Sequence, residues 1–122
     1  MELTRAEEQV MQILWKIEKG FIKDILEQFD EPKPAYTTVA TFLKILERKG
    51  YVSYEAFGNA HKFYPLISKE EYSRTHLNSI FKKYFKGSIK DVVTFFSDNN
   101  KVNINDIDNA IKLLTEIKNK KS

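Results

Sequence analysis

The sequence predicts a mainly α fold, interrupted once by a β-hairpin, with three helices before the hairpin and three after it. Two observations carry that expectation. Apolar residues recur at three- and four-residue intervals through six segments, the spacing that gives a helix one buried face. Between residues 51 and 65 the period changes to two, on either side of the dipeptide Gly58-Asn59, as a strand pair joined by a two-residue turn requires. At 122 residues the chain has room for one domain, or for one small folded module with an appended piece.

Thr4 followed by Glu7 fits a capping box, in which the hydroxyl accepts from an early backbone N–H and the carboxylate reaches back to the cap. The first helix starts there on Val10, Ile13, Leu14 and Ile17, and Gly20 is expected to stop it near Lys19. Phe21 leads into a short second helix on Ile22, Ile25, Leu26 and Phe29, ended by Pro32 and Pro34. The third helix, residues 36–49, carries Val39, Phe42, Leu43 and Leu46 and closes at Gly50, a left-handed cap. Tyr51–Phe57 and Ala60–Pro65 form the hairpin. Ser68, with Glu70 and Glu71 in the first turn, caps a long fourth helix whose apolar positions Leu77, Ile80, Phe81, Tyr84 and Phe85 run to Gly87. Ile89, Val92, Val93 and Phe96 give a short fifth helix, expected to be buried over 92–96, and Ser97-Asp98-Asn99-Asn100 reads as a loop. Ile104, Ile107, Ala110, Ile111, Leu114 and Ile117 form the last helix before a charged tail, Lys118–Ser122.

With 42% hydrophobic and 30% charged residues the composition is that of a globular chain and excludes a disordered one. The absence of cysteine removes disulfides and thiolate metal ligands, and two histidines cannot build a zinc cluster alone. No apolar run approaches the roughly 18 to 20 residues of a membrane span, and Met-Glu-Leu-Thr-Arg-Ala lacks a signal peptide's apolar region. No membrane insertion and a cytoplasmic location are therefore expected. The formal charge of +3 is informative once divided. Residues 1–32 hold four Lys/Arg against eight Asp/Glu, giving −4; residues 33–62 hold five against two, giving +3; residues 67–122 hold eleven against seven, giving +4. Positive charge thus begins at the third helix, where local clustering on one face is what an electrostatic footprint for nucleic acid requires.

Three short helices, the third glycine-capped and followed directly by a hairpin, is the order of a winged helix-turn-helix. At 100° per residue, Val39, Phe42, Leu43 and Leu46 share one face of the third helix, and Thr37, Thr41, Lys44 and Arg48 lie opposite with no acid among them. Threonines can donate to phosphate or pack a methyl on thymine, and the cations can bind phosphate or guanine. Lys62 on the second strand is a further candidate for a phosphate contact, though a lone strand Lys is more often solvent decoration. His61 reads as a wing surface residue and Trp15 as core of the first helix. Tyr51, Tyr54, Phe63 and Tyr64 have the spacing of rings that pack across a hairpin. Glu7 with Glu8, and Glu70 with Glu71, sit at helix starts, where they act on caps and the dipole. No phosphate-cradling glycine loop, nucleophile–base pair or histidine metal motif occurs, so neither an enzyme nor a cofactor or metal is expected.

The residues then resemble a family. Leu3-Thr4-x-Ala6-Glu7-x-x-Val10-Met11-x-x-Leu14-Trp15, Tyr36-Thr37-Thr38-Val39-x-Thr41-x-Leu43-x-x-Leu46-x-x-Lys49-Gly50-Tyr51-Val52 and Tyr64-Pro65-x-Ile67-Ser68-x-Glu70-Glu71-Tyr72 are similar to the penicillinase and methicillin-resistance repressors. The likeness covers residues 3–72 by motif and the rest by helix layout. It implies a dimeric repressor whose winged helices bind a palindromic operator, typically with TACA/TGTA half-sites, and whose C-terminal helices dimerise. By the same resemblance Thr38 and Thr41 take base-reading positions, with Thr37 and Lys44 beside them. The family often has Arg where this chain has Ile45. A copper-responsive branch carries a C-terminal cysteine cluster, which this sequence lacks. The remaining branch is released by proteolysis on a signal from a membrane sensor, implying a sensor-linked protease as partner and a cut corresponding to Thr94–Phe95, where the family commonly has Asn in place of Thr94.

The expectation is therefore a winged helix over 1–66 that binds a double-stranded DNA operator through Thr37, Thr38, Thr41, Lys44, Arg48 and Lys62. Residues 67–122 are expected to form a homodimer through Leu77, Ile80, Phe81, Tyr84 and Phe85 and, on the last helix, Ile107, Ile111 and Leu114. An alternative from another class is a winged helix serving as a protein-interaction module, which needs no acid-free helix face.

Overall fold

The computed structural model describes residues 3–98 and 103–121. In order they form α1 (Arg5–Ile17), α2 (Ile22–Glu27), α3 (Tyr36–Arg48), β1 (Val52–Phe57), β2 (Ala60–Pro65), α4 (Lys69–Phe85), α5 (Ile89–Asp98) and α6 (Ile104–Lys121). They divide into two compact units, one up to Thr75 and one from His76.

The first unit is a winged helix. Its core is Val10, Met11, Ile13 and Leu14 of α1, Ile25 of α2, Val39, Leu43 and Leu46 of α3, and Val52 and Phe63 of the hairpin. Each helix contributes the stripe its periodicity marks out, so burial follows the apolar pattern. The capping box forms as expected: Glu7 N–H donates to Thr4 Oγ1 at 3.2 Å, and Thr4 N–H donates to Glu7 Oε1 at 3.0 Å. At the other end of the core, Gly50 takes φ +84°, its N–H donates to the Glu47 carbonyl, and Tyr51 N–H donates to the Leu46 carbonyl. That pair of bonds closes α3 and starts β1 one residue later than the apolar alternation suggests. β1 and β2 pair antiparallel from Val52↔Pro65 to Phe57↔Ala60, with Gly58 at φ +61° in the two-residue turn.

The end of α1 differs from expectation. The helix stops at Ile17, and Glu18, not a glycine, takes the positive φ of 72° while its N–H donates to the Leu14 carbonyl. Gly20 is kept for space and pairing. It exchanges two backbone hydrogen bonds with Phe63, at 3.0 and 2.8 Å, and a Cβ there would lie 2.8 Å from Ile17 Cδ1. α2 also ends early, at Glu27, so Phe29 packs from the following turn; Lys33 Nζ reaches back to the Leu26 and Glu27 carbonyls at 3.1 and 3.2 Å and satisfies the helix end in place of a proline stop.

The start of α4 belongs to the first unit, past the 66/67 boundary expected from sequence. Glu71 N–H donates to Ser68 Oγ, Trp15 Nε1–H donates to the Ile67 carbonyl at 2.9 Å, and the Tyr72 hydroxyl donates to Glu8 Oε2 at 2.9 Å. The Tyr72 ring meets those of Trp15 and Tyr51 at 5.4 and 6.1 Å. In the second unit Ser97 and Asp98 are helical and not loop, and α6 runs through Lys121, so the charged tail is its last turn. Asn99 and Asn100 of the expected loop lie outside the described residues. No described residue of α4, α5 or α6 is buried.

Candidate nucleic-acid interface

Burial of Val39, Leu43 and Leu46 fixes the rotation of α3, and with it the face turned to solvent. Thr37, Thr38, Thr41, Lys44 and Arg48 are all exposed on it. The Thr41 hydroxyl donates to the Thr37 carbonyl at 2.9 Å. Its methyl group and its oxygen's acceptor capacity are what it has left to offer a base edge. Ala35 caps α3 without a side-chain bond and its first turn carries no acid, so the positive end of the helix dipole is left unopposed.

α3 forms one wall of an open groove of about 600 Å³, and the wing forms the other. Tyr36, Lys44 and Glu47 line it from α3, Lys23 from α2, and Tyr54 and His61 from the strands. Glu47 qualifies the sequence reading: the Thr37, Thr41, Lys44 and Arg48 stripe is free of acid, but an exposed carboxylate borders it and shares the groove with Lys44. Lys62 is not among the residues lining this groove. It is half-buried, sits cross-strand from Glu55, and holds its ammonium 5.7 Å from the centre of the Phe21 ring.

The hairpin aromatics pack on each other as their spacing suggests, with Tyr54 and Phe63 rings 5.5 Å apart. His61 is exposed and stacked on Tyr54, ring centres 3.9 Å apart at 8°. Trp15 is half-buried and hydrogen-bonded, a structural residue. Buried Glu7 is ion-paired with Lys49 at 2.7 Å. Burial opposes its charge, but the Lys49 hydrogen bond, the Thr4 N–H and the Lys49 charge outweigh that and hold its carboxyl below the usual range. Sequence reasoning missed Lys23, Tyr36 and the groove role of His61, because membership of a groove depends on how α2, α3 and the wing meet. Tyr36 lies seven residues before Leu43, on the side of the apolar stripe, so its 57% exposure has no signal in the sequence.

In the second unit, Leu77, Ile80, Phe81, Tyr84 and Phe85 line one apolar groove of about 740 Å³ with residues of α5. Leu77 is 63% and Tyr84 68% exposed. Ile107, Ile111 and Leu114 are exposed on α6. Segment 92–96 is helical as expected but not buried: Val93, Thr94, Phe95 and Phe96 are exposed, Val92 half so. Thr94 Oγ1 donates to the Lys90 carbonyl, and the Phe95 ring contacts Phe85 and Phe96. Among the described residues no cluster of metal ligands occurs, and no helix is long and apolar enough to cross a membrane.

A family model described as penicillinase repressor matches residues 3–116. The penicillinase repressor of Bacillus licheniformis is 22% identical over 121 residues, covering 98% of this chain and 94% of that protein. The methicillin resistance regulatory protein MecI of Staphylococcus aureus (strain N315) is 23% identical over 116 residues, covering 94% of each. The protein of the same name from Mammaliicoccus sciuri is 22% identical over 116 residues.

Proposed function

The chain belongs to the penicillinase repressor family, a family of transcriptional repressors, and on that premise we propose that it binds a palindromic DNA operator as a homodimer. The observation that carries this reading is the exposed face of α3. A helix held by three buried residues presents Thr37, Thr38, Thr41, Lys44 and Arg48 together, with the wing beside it. Lys44 and Arg48 supply the salt-dependent attraction to phosphate, Thr38 and Thr41 read base edges, Thr37 flanks them, and Lys62 reaches the backbone from the hairpin only by leaving the Phe21 ring.

Dimerisation falls to Leu77, Ile80, Phe81, Tyr84 and Phe85 with Ile107, Ile111 and Leu114. A unit in which no described residue is buried leaves its apolar surface to a second copy. Repression ends when a sensor-linked protease cuts α5 at Thr94–Phe95. The exposure of both residues favours access, and loss of α6 from the dimer removes the second half-site from reach.

The test is a mobility shift on a duplex with two inverted TACA/TGTA half-sites, beside a scrambled duplex, over a salt series. Preference for the first duplex, with affinity falling linearly in log salt, is expected. Absence of salt-dependent binding to either duplex would instead mark a protein-interaction module.

A further inference from the structure

We propose that His61 is a phosphate-binding residue of the operator complex, acting as an imidazolium from the wing side of the groove opposite Lys44. This rests on the DNA-binding reading of α3. Once α3 enters a major groove, the sugar–phosphate strand that borders that groove runs alongside the helix. The space beside α3 on the wing side is the groove of about 600 Å³, with Lys44 on one wall and His61 on the other.

The imidazole is already oriented for such a contact. It lies flat on Tyr54, ring centres 3.9 Å apart at 8°, and Tyr54 is held in turn by Phe63 at 5.5 Å. A ring fixed this way loses little freedom on binding. The groups facing it are Lys23 from α2; Tyr36, Lys44 and Glu47 from α3; and Tyr54 from β1. Lys62 and Glu55 are backbone partners across the strands and do not line the groove, and the Lys62 ammonium lies over the Phe21 ring. Without His61 the groove carries two cations and one carboxylate; protonation adds a third cation where the backbone would pass. Imidazole is the side chain whose charge changes between about pH 5 and 8, so the ion pair with phosphate forms in acid and is absent in base. A phosphate favours the protonated ring, so the complex binds more protons than the free protein and affinity rises as pH falls.

Fluorescence anisotropy with the two-half-site duplex tests this on the full chain between about pH 8 and pH 6, the range over which imidazole titrates. Wild type should tighten by roughly three- to tenfold over that range. His61→Phe keeps a stacked ring without the charge, and His61→Gln removes the ring; both should flatten the profile. His61→Lys, permanently charged, should also be flat, and His76→Gln should follow wild type. At the acid end, wild type should show a salt slope steeper than His61→Phe by about 0.9 per subunit, a difference that vanishes at the basic end. If wild type fails to prefer the half-site duplex over a scrambled one, the DNA-binding reading falls and this inference with it. If it prefers that duplex while His61→Phe and His61→Gln keep the wild-type pH profile, or His76→Gln alone removes it, only the assignment of His61 is overturned.

Discussion

Lys49 Nζ lies 2.7 Å from Glu7 Oε1, tying the C-cap of α3 to the first turn of α1 across 42 residues of chain. Glu7 also completes the capping box with Thr4, so one buried carboxylate both starts the first helix and fixes the end of the third. The exposed face of α3 is aimed partly by this pair.

Acid should therefore weaken the fold through Glu7. Its carboxyl titrates lower in the folded chain than in the unfolded one, so the stabilisation is present above the unfolded value near 4.5 and is lost as pH falls through the folded value. Lys49→Met leaves the buried carboxylate with only its Thr4 bonds and should cost about 1–3 kcal/mol at neutral pH. In that variant the acid dependence should shrink, because the Thr4 bonds are then left alone to oppose the effect of burial on the carboxyl. Urea unfolding at neutral and acid pH measures both effects, and adding Glu7→Gln to Lys49→Met should recover part of the loss.

Tyr72→Phe removes the hydroxyl bonded to Glu8 while keeping the ring against Trp15, and should cost about 1 kcal/mol. Trp15 is the one tryptophan of the chain, so its emission reports the docking of the α4 start directly. A red shift without a change in far-UV circular dichroism is the expected signature; unchanged emission and stability would show the bond to be inconsequential.

Alanine at both Lys44 and Arg48 should weaken binding to every duplex alike and lower the salt slope by about 0.9 for each phosphate left without its cation in a subunit. Thr41→Val retains the methyl but removes the oxygen, and should cost about 1–3 kcal/mol at particular base pairs only. Affinities over a salt series and a set of single-base operator variants separate the two; a folded double alanine variant with unaltered affinity and slope would rule out α3 as the reading helix.

Phe81→Glu on α4 or Ile111→Glu on α6 should shift the chain from dimer to monomer at micromolar concentration, seen by sedimentation velocity. A chain ending at Thr94 should also be monomeric, keep its winged helix, and bind a two-half-site duplex far more weakly. Persistence of a full-affinity dimer in that shortened chain would exclude cleavage there as the switch.

How far the sequence is legible follows from how local each signal is. The Thr4–Glu7 box, the Gly50 cap, the Gly58-Asn59 turn and the Ser68 cap each depend on a few adjacent residues, and all four form as read. Gly20 misleads because a glycine after a helix reads as its cap, whereas its lack of a side chain serves a close approach to Ile17 and a pairing with Phe63, 43 positions away. Periodicity assigns Phe29 to α2, since it cannot see that Lys33 terminates the helix from outside it. The burial expected for 92–96 fails for a related reason: an apolar stripe says that a face seeks cover, not that its own chain supplies it. On α3 the site stripe is readable from 100° geometry alone, but Glu47 on its border and His61 across the groove require the packing of three elements.

The double hydrogen bond between Gly20 and Phe63 makes the wing a cantilever, clamped at its root and steadied near its tip by the edge contact of Phe57 with Phe21, ring centres 5.8 Å apart. Phe63 and Val52 lie in the core at the clamp, whereas every residue from Glu55 to His61 is exposed. Amide exchange should be slow at Phe63 and fast around Gly58, with little cooperativity between the two. Lengthening the beam by a residue pair on either side of Gly58-Asn59 would then change how far the wing projects while the clamp, and the fold it belongs to, stay as they are.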